Sequence, residues 1–148
     1  MPESNSLRHQ LPYLFVAQAQ KEVTHNEALA RIDALLHPAI IDRLVSPPSL
    51  LLADAGKCWL VDANSAGEWQ SKANQIAVWI GGSWRYIVPI AGMRVRHTGA
   101  NSDLVWTGIQ WVIPPVIPNP QSGSVIDIEA RAAIAALLGH FRMIGQVT

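Results

Sequence analysis

The residues with the clearest chemical potential are tryptophans that recur in two similar segments. Val78-Trp79-Ile80-Gly81-Gly82-Ser83-Trp84 is followed, about 27 residues later, by Val105-Trp106-Thr107-Gly108-Ile109-Gln110-Trp111. A flat indole can stack on the apolar face of a sugar ring, while polar turn residues bond the sugar hydroxyls. The candidate glycan-binding residues are Trp79, Trp84, Trp106, Trp111, Ser83 and Gln110. Alternatively, the tryptophans pair across strands and stabilise a small sheet.

A polar run near the N-terminus offers a second set of reactive side chains. Glu22 and His25 have the Glu-x-x-His spacing of some metal ligands, but those sites need two facing copies and this chain has one. We therefore expect no metal site and no cofactor. A helix rich in Gln, His, Asn and Thr differs from an ordinary solvated helix, so we expect a docking or oligomer interface here, with capping within the chain as the alternative. The candidate interface residues are Gln18, Gln20, Lys21, Glu22, His25 and Asn26.

Catalytic patterns are weak, and we expect no enzymatic activity. Hydrolysis of a glycosidic bond needs two carboxylates on opposite sides of a cleft. Four carboxylates lie in or beside predicted loops, and no sequence feature places two of them opposite each other. Cys58 lies in a predicted strand, so we expect it to be a small buried apolar residue and not a nucleophile. The chain also lacks the Gly-x-Ser-x-Gly motif of a serine nucleophile. The carboxylates are Asp54, Asp62, Glu68 and Asp103.

Composition sets limits on partners and location. The 148 residues suit one compact domain, 49% of them are hydrophobic, and the formal net charge is zero. A neutral chain without a basic tract predicts no nucleic-acid partner. No apolar run approaches the roughly 20 residues of a membrane span, and the N-terminus lacks signal-peptide features. We expect synthesis in the cytoplasm, no membrane insertion, and a homo-oligomer because a weakly charged surface does not repel its copies.

The N-terminal part is expected to be helical. Residues 1–10 indicate a flexible polar arm, and residues 11–38 a helical docking or oligomerisation segment. Thr24 to Glu27 fits a capping box, in which the Thr24 hydroxyl accepts from the Glu27 amide. The apolar residues that follow recur at helical spacing until Pro38. Residues 16–36 form either one helix or two pieces kinked at Thr24.

The rest of the chain predicts an α+β fold, with a small antiparallel β-domain flanked by an N-terminal and a C-terminal helix. The β-domain covers residues 39–113 and has six to eight short strands, among them one over 40–45 and two Trp-rich hairpins. Gly81-Gly82 supplies the positive φ angles of a tight hairpin turn. A Pro-rich linker over 114–124 precedes the C-terminal helix within 125–148. One face of that helix carries Ile134, Leu137, Leu138 and Phe141.

The string from Gln18 to Leu29 resembles the opening of a family of uncharacterised proteins encoded by bacterial prophages and gene transfer agents. The family has Leu-Pro-Tyr before this string, as at residues 11–13, and Ile-Asp-Ala-Leu after it, as at 32–35. Its hairpins match Ala77-Val78-Trp79 with Trp84-Arg85, and the segment from Val105 to Trp111. The resemblance is best over about residues 11–113.

The resemblance implies a virion component of a tail fibre or head spike, made in the cytoplasm and assembled into a phage-like particle with other virion proteins. We expect a non-enzymatic structural or adsorption role, with docking through the N-terminal segment. The alternative is a carbohydrate-binding module that recognises host surface polysaccharide. An enzyme that degrades such polysaccharide is a third possibility.

Overall fold

The computed structural model describes residues 5–14, 21–121, 127–144 and 146–147, without the side chain of Lys21. The α+β class is confirmed: two helices accompany short, mainly antiparallel strands. The chain divides between Pro89 and Ile90 into two compact units, called here the first and the second unit. This division falls inside the predicted β-domain over 39–113, so each unit holds one of the two Val-Trp hairpins.

The sheet of the first unit has the strand order β2-β3-β4-β5. Strand β2 pairs with β3 in parallel, and the other pairs are antiparallel. The predicted strand over 40–45 is broken into two short strands, because the Asp42 carboxylate accepts from the amide of Arg43 at 2.7 Å and turns the chain there. The elements of this unit are α1 Lys21–Leu36, β1 Ala39–Ile40, β2 Arg43–Leu44, β3 Cys58–Val61, β4 Ile76–Ile80 and β5 Ser83–Ile87.

The hairpin of β4 and β5 has the predicted two-residue turn. Ile80 pairs with Ser83, and Gly81 and Gly82 have φ angles of 58° and 76°. Two successive positive φ angles match the twist of an antiparallel pair, and glycine adopts them without steric cost. The register also pairs Trp79 with Trp84.

The predicted capping box at Thr24 is wrong, because Thr24 lies inside helix α1. The helix already includes Lys21 and continues through Thr24 to Leu36 without a break. Within a helix each amide is bonded to the carbonyl four residues earlier, so the Glu27 amide needs no cap from Thr24. Residues 15–20, which belong to the open question of one helix or two, lie outside the described residues.

The buried residues of α1 are small or polar. Ala30, Asp33 and Ala34 are buried, whereas the larger Ile32 and Leu36 are 48% and 49% exposed. The large apolar residues that recur at helical spacing therefore lie on the exposed side of α1.

The second unit contains an antiparallel sheet and the C-terminal helix. Its elements are β6 Arg94–His97, β7 Ser102–Trp106, β8 Trp111–Val112 and α2 Ile128–Met143. The second hairpin closes from Trp106 to Trp111, and the Thr107 hydroxyl accepts from the amides of Ile109 and Gln110 in its loop. Asp127 caps α2 by accepting from the Ala130 amide at 2.8 Å. On its predicted apolar face Leu138 is buried, while Ile134, Leu137 and Phe141 are exposed.

The two units share a longer repeat than the tryptophan segments alone. In the first unit, the amide of Gly56 donates to the carbonyl of Trp79 at 2.8 Å. In the second unit, the amide of Gly92 donates to the carbonyl of Trp106 at the same distance of 2.8 Å. Both glycines follow an alanine and have positive φ angles of 79° and 85°. Each unit is thus an Ala-Gly turn, a strand and a Val-Trp hairpin.

Candidate docking groove

The segment before α1 is held against the helix, which corrects the prediction of a flexible arm for residues 5–10. Asp33 is 4% exposed, and its carboxylate accepts from the amides of Arg8 at 2.8 Å and His9 at 2.6 Å. A carboxylate that receives two backbone amides is satisfied inside the fold and fixes the path of the segment that donates them. The physical cause is a long-range contact that no local pattern around residues 1–10 reveals.

The side chain of Arg8 caps the C-terminal end of α1. Its guanidinium donates to the carbonyls of Ala34 at 2.8 Å and His37 at 2.6 Å. The last carbonyls of a helix lack partners within the helix and carry its negative end, so a cation is favourable there. Arg8 and Asp33 together attach the N-terminal segment to the C-terminal half of α1.

Asn26 attaches the same segment to the first half of the helix. Its side-chain oxygen accepts from the Leu14 amide at 2.9 Å, and its side-chain nitrogen donates to the Leu14 carbonyl at 3.1 Å. One amide group thereby satisfies both backbone groups of a single residue. These bonds agree with the stated alternative of capping and bonding within the chain, and the interface role of Asn26 stays a prediction.

A groove lies between α1 and the sheet of the first unit, and we call it the docking groove. Its volume is about 240 Å³. The floor is formed by apolar side chains of β4 and β5, and one wall by the small residues of α1. Two arginines, Arg31 and Arg85, also line it. The complete lining is Tyr13, Val23, Asn26, Glu27, Ala30, Arg31, Ala34, Val78, Ile80, Arg85 and Ile87.

The charge of the docking groove is positive on balance. Arg31 pairs with Glu27 at 3.5 Å along the helix. Arg85 donates to the Ser83 hydroxyl at 2.7 Å, and no ion pair of Arg85 occurs among the described residues. An apolar floor beside one uncompensated guanidinium can hold apolar side chains together with a carboxylate.

The other residues predicted for the interface are distributed unevenly. Gln18, Gln20 and the side chain of Lys21 lie outside the described residues. His25 is exposed on α1. Glu22 is half-buried, and its Oε2 atom is buried without a hydrogen bond from the described part of the chain. Among the described residues of the predicted set, Asn26 lines the docking groove.

The tryptophans of the first unit pack against one another. The ring of Trp84 lies edge-on to Trp79, Trp69 and Trp59, with centroid distances of 5.0, 5.1 and 5.5 Å. Trp84 is 7% exposed, and Trp79 is half-buried. Edge-to-face packing of this kind contributes to core stability. The faces of these rings that would stack on a sugar are largely occupied by neighbouring rings.

The second unit repeats this arrangement with one pair. Trp106 and Trp111 have centroids 5.5 Å apart and are 9% and 5% exposed. Gln110 is exposed, and Ser83 is half-buried and accepts from Arg85. The structure therefore does not bring the six predicted glycan-binding residues together on one exposed surface of either unit.

Cys58, Asp54 and Asp62 are engaged in the fold. Burial raises the pKa of the Cys58 thiol to about 11, which keeps it protonated and unreactive. Hydrogen bonds from Lys57 and from the Leu51 amide lower the pKa of Asp54. Asp62 pairs with Arg43 at 2.8 Å. Among the described residues no group of three or more His, Cys, Asp and Glu could hold a metal ion.

Sequence reasoning missed Asp33, Arg8 and Tyr13. Asp33 carried a usable signal: it stands between apolar residues, three and four positions from Ala30 and His37 on one helical face. A carboxylate on the buried face of a helix requires a partner. The partner's identity depends on the tertiary fold.

A model of the family described as "protein of unknown function (DUF2793)" matches residues 25–112, more than half of the chain. No curated protein matches the chain. No helix among the described residues has the length and apolar character needed to cross a membrane.

Proposed function

This chain belongs to the family DUF2793, whose function is unknown, and we propose that it is a non-enzymatic docking component of a phage-like particle. The observation that carries the proposal is the docking groove, with its apolar floor and the uncompensated charge of Arg85. The resemblance of residues 18–29 to prophage and gene-transfer-agent proteins suggests the particle. The tail-fibre or head-spike location and the virion partners are part of this proposal.

The occupant that fits the docking groove is an apolar segment of another particle protein that carries an acidic side chain. A volume of about 240 Å³ is below the roughly 300–1,000 Å³ of typical small-molecule sites, and suits a few side chains of a peptide. Ile80 and Ile87, which are half-buried, would receive the apolar groups, and Arg85 would receive the carboxylate. Charge complementarity of this kind favours specific encounter with the correct partner.

Incorporation into particles tests the proposal. Particles are purified by density gradient from cells that express the tagged chain, and its amount in the particle fraction is measured. The change Arg85→Glu reverses the charge in the groove and should lower incorporation about tenfold or more. Arg131→Glu on α2 makes the same charge change elsewhere and should leave incorporation unchanged. Absence of the unsubstituted chain from the particles would reject the proposal.

We also propose that the chain forms a homo-oligomer through the outward face of α1. Ile32, Leu35 and Leu36 are each at least 36% exposed, although their side chains are large and apolar. Burial of such residues against a second copy would be favourable by about 25 cal/mol per Å². In light scattering after size-exclusion chromatography, Ile32→Glu should give a monomer and Ile109→Glu, on an exposed loop, should not. A monomeric unsubstituted chain at micromolar concentration would refute this.

The carbohydrate-binding alternative has weaker support. Trp84, Trp106 and Trp111 are buried, so stacking on a sugar would depend on the half-buried Trp79. Titration with host surface polysaccharide, followed by tryptophan fluorescence, tests it. A saturable change that Trp79→Ala abolishes would favour this function over protein docking.

A further inference from the structure

We propose that His9 and His37 form a binding site for a divalent transition-metal ion such as Zn²⁺ or Cu²⁺. The two residues lie 28 positions apart in the chain, and Nε2 of His9 and Nδ1 of His37 are 3.4 Å apart. His9 belongs to the N-terminal segment, and His37 follows the last residue of α1. An ion held between them would connect the segment to the helix.

The separation of the nitrogens matches a shared ion. Zn²⁺ binds imidazole nitrogen at about 2.0–2.1 Å with tetrahedral angles, which sets two ligand nitrogens about 3.3 Å apart. The observed distance is 3.4 Å. It exceeds the roughly 2.7–3.2 Å range of well-formed hydrogen bonds from N–H donors.

The ring positions give a second, independent distance. Two imidazoles that point at one tetrahedral ion have centroids about 5.2 Å apart, because each nitrogen lies about 1.1 Å from its ring centre. A straight N–H···N hydrogen bond at the observed nitrogen separation would set the centroids about 5.7 Å apart. The centroids are 5.1 Å apart, with an angle of 45° between the rings. The observed centroid distance is therefore closer to the value for a shared ion than to the value for a straight hydrogen bond.

The backbone on both sides of the pair is fixed by other contacts. The His9 amide donates to the buried Asp33 carboxylate at 2.6 Å, and the His37 carbonyl accepts from Arg8 at 2.6 Å. Pro38 further restricts His37, since the residue before proline favours extended conformations. Ligands held in place before the ion arrives lose less conformational entropy on binding.

The charges around the pair permit a cation. The guanidinium of Arg8 is the nearby positive group, and it is bonded to the carbonyl groups at the end of α1. The Asp33 carboxylate and the negative end of the helix oppose it. Both histidine side chains are exposed, which leaves the other coordination positions to water or to a group of a bound partner.

The affinity order follows from the ligand set. Two imidazoles bind Cu²⁺ more strongly than Ni²⁺ or Zn²⁺. Since the ion would bind the folded chain, saturating metal should also raise the unfolding temperature.

Calorimetric titration of the full chain, without a histidine tag, with ZnCl₂ and with CuCl₂ tests the site. We expect one ion per chain, and His9→Gln with His37→Gln should weaken binding at least about tenfold. His25→Gln with His140→Gln removes two other exposed histidines and should leave the affinity unchanged. Equal affinity in all three proteins, or no binding by the unsubstituted chain, would overturn the proposal.

A second experiment counts the imidazole nitrogens bound to the ion in the unsubstituted chain. Its main result does not depend on how the variants fold. Electron paramagnetic resonance of the complex with one equivalent of Cu²⁺ should show hyperfine splitting from two imidazole nitrogens. The splitting should be lost in the His9→Gln, His37→Gln variant. Splitting from one nitrogen or from none in the unsubstituted chain would refute a two-histidine site.

Discussion

Replacement of Asp33 by alanine tests how the N-terminal segment is attached to α1. The buried Asp33 carboxylate accepts from the amides of Arg8 and His9. Hydrogen bonds to a charged group contribute about 1.5–3 kcal/mol each, and an abandoned buried donor costs a similar amount. Because the freed segment can recover part of this by bonding to water, we expect Asp33→Ala to lower the free energy of unfolding by about 3–4 kcal/mol.

Urea unfolding monitored by tryptophan fluorescence measures this loss, since the indole cluster of Trp59, Trp69 and Trp84 lies in the same unit. Glu27→Ala is the matched control on the same helix. Its carboxylate pairs with Arg31 on the surface, so the expected loss is about 0.3–0.5 kcal/mol. A loss for Asp33→Ala as small as that of the control would refute the inference that the carboxylate fixes the segment.

Three further predictions concern the cores and the turns. Trp69 is fully buried, so Trp69→Ala should destabilise the chain by about 3–5 kcal/mol in the same urea assay; a loss below about 1 kcal/mol would contradict its central position. Gly56→Ala should cost more stability than Gly92→Ala in thermal unfolding. Both have positive φ angles, but a Cβ at Gly56 would lie 2.8 Å from the Cβ of Leu7, whereas Gly92 has open space; equal costs would show that the Leu7 contact is unimportant. Because burial raises the pKa of the Cys58 thiol to about 11, iodoacetamide at pH 9 should alkylate it only after urea unfolds the chain. Rapid alkylation of the native chain would contradict the burial of Cys58.

The β-hairpins and the second helix could be predicted because their signals are local. Gly81-Gly82 between alternating apolar residues specifies the turn of the first hairpin, and the structure has it there. Asp127 caps α2 close to the predicted start of that helix. Such features depend on residues within a few positions of one another, which a sequence displays directly.

The attachment of residues 5–14 to α1 could not be predicted because it is a long-range effect. Asp33 bonds to Arg8 and His9, which precede it by 25 and 24 positions. Asn26 bonds to Leu14, 12 positions earlier in the chain. A polar N-terminal sequence is compatible with both a free arm and a bound one. The outcome depends on a buried carboxylate that requires donors.

The large apolar residues of α1 gave a misleading signal about its buried face. Helical spacing of Leu29, Ile32 and Leu36 normally marks the side toward the core. In this chain the buried residues of the helix are Ala30, Asp33 and Ala34, and Ile32 and Leu36 are about half exposed. The proposed homo-oligomer would cover these exposed residues.

Photocrosslinking within particles tests the proposed docking role most directly. Benzoylphenylalanine is placed at Val23, which lines the docking groove and is 62% exposed, and in a control protein at Ile109, which is 84% exposed in the second unit. After irradiation of purified particles, mass spectrometry should find the Val23 adduct on an apolar segment with an acidic residue in another particle protein, in greater yield than any adduct at Ile109. Equal yields at both positions, or no adduct at Val23 in particles that contain the chain, would contradict the account.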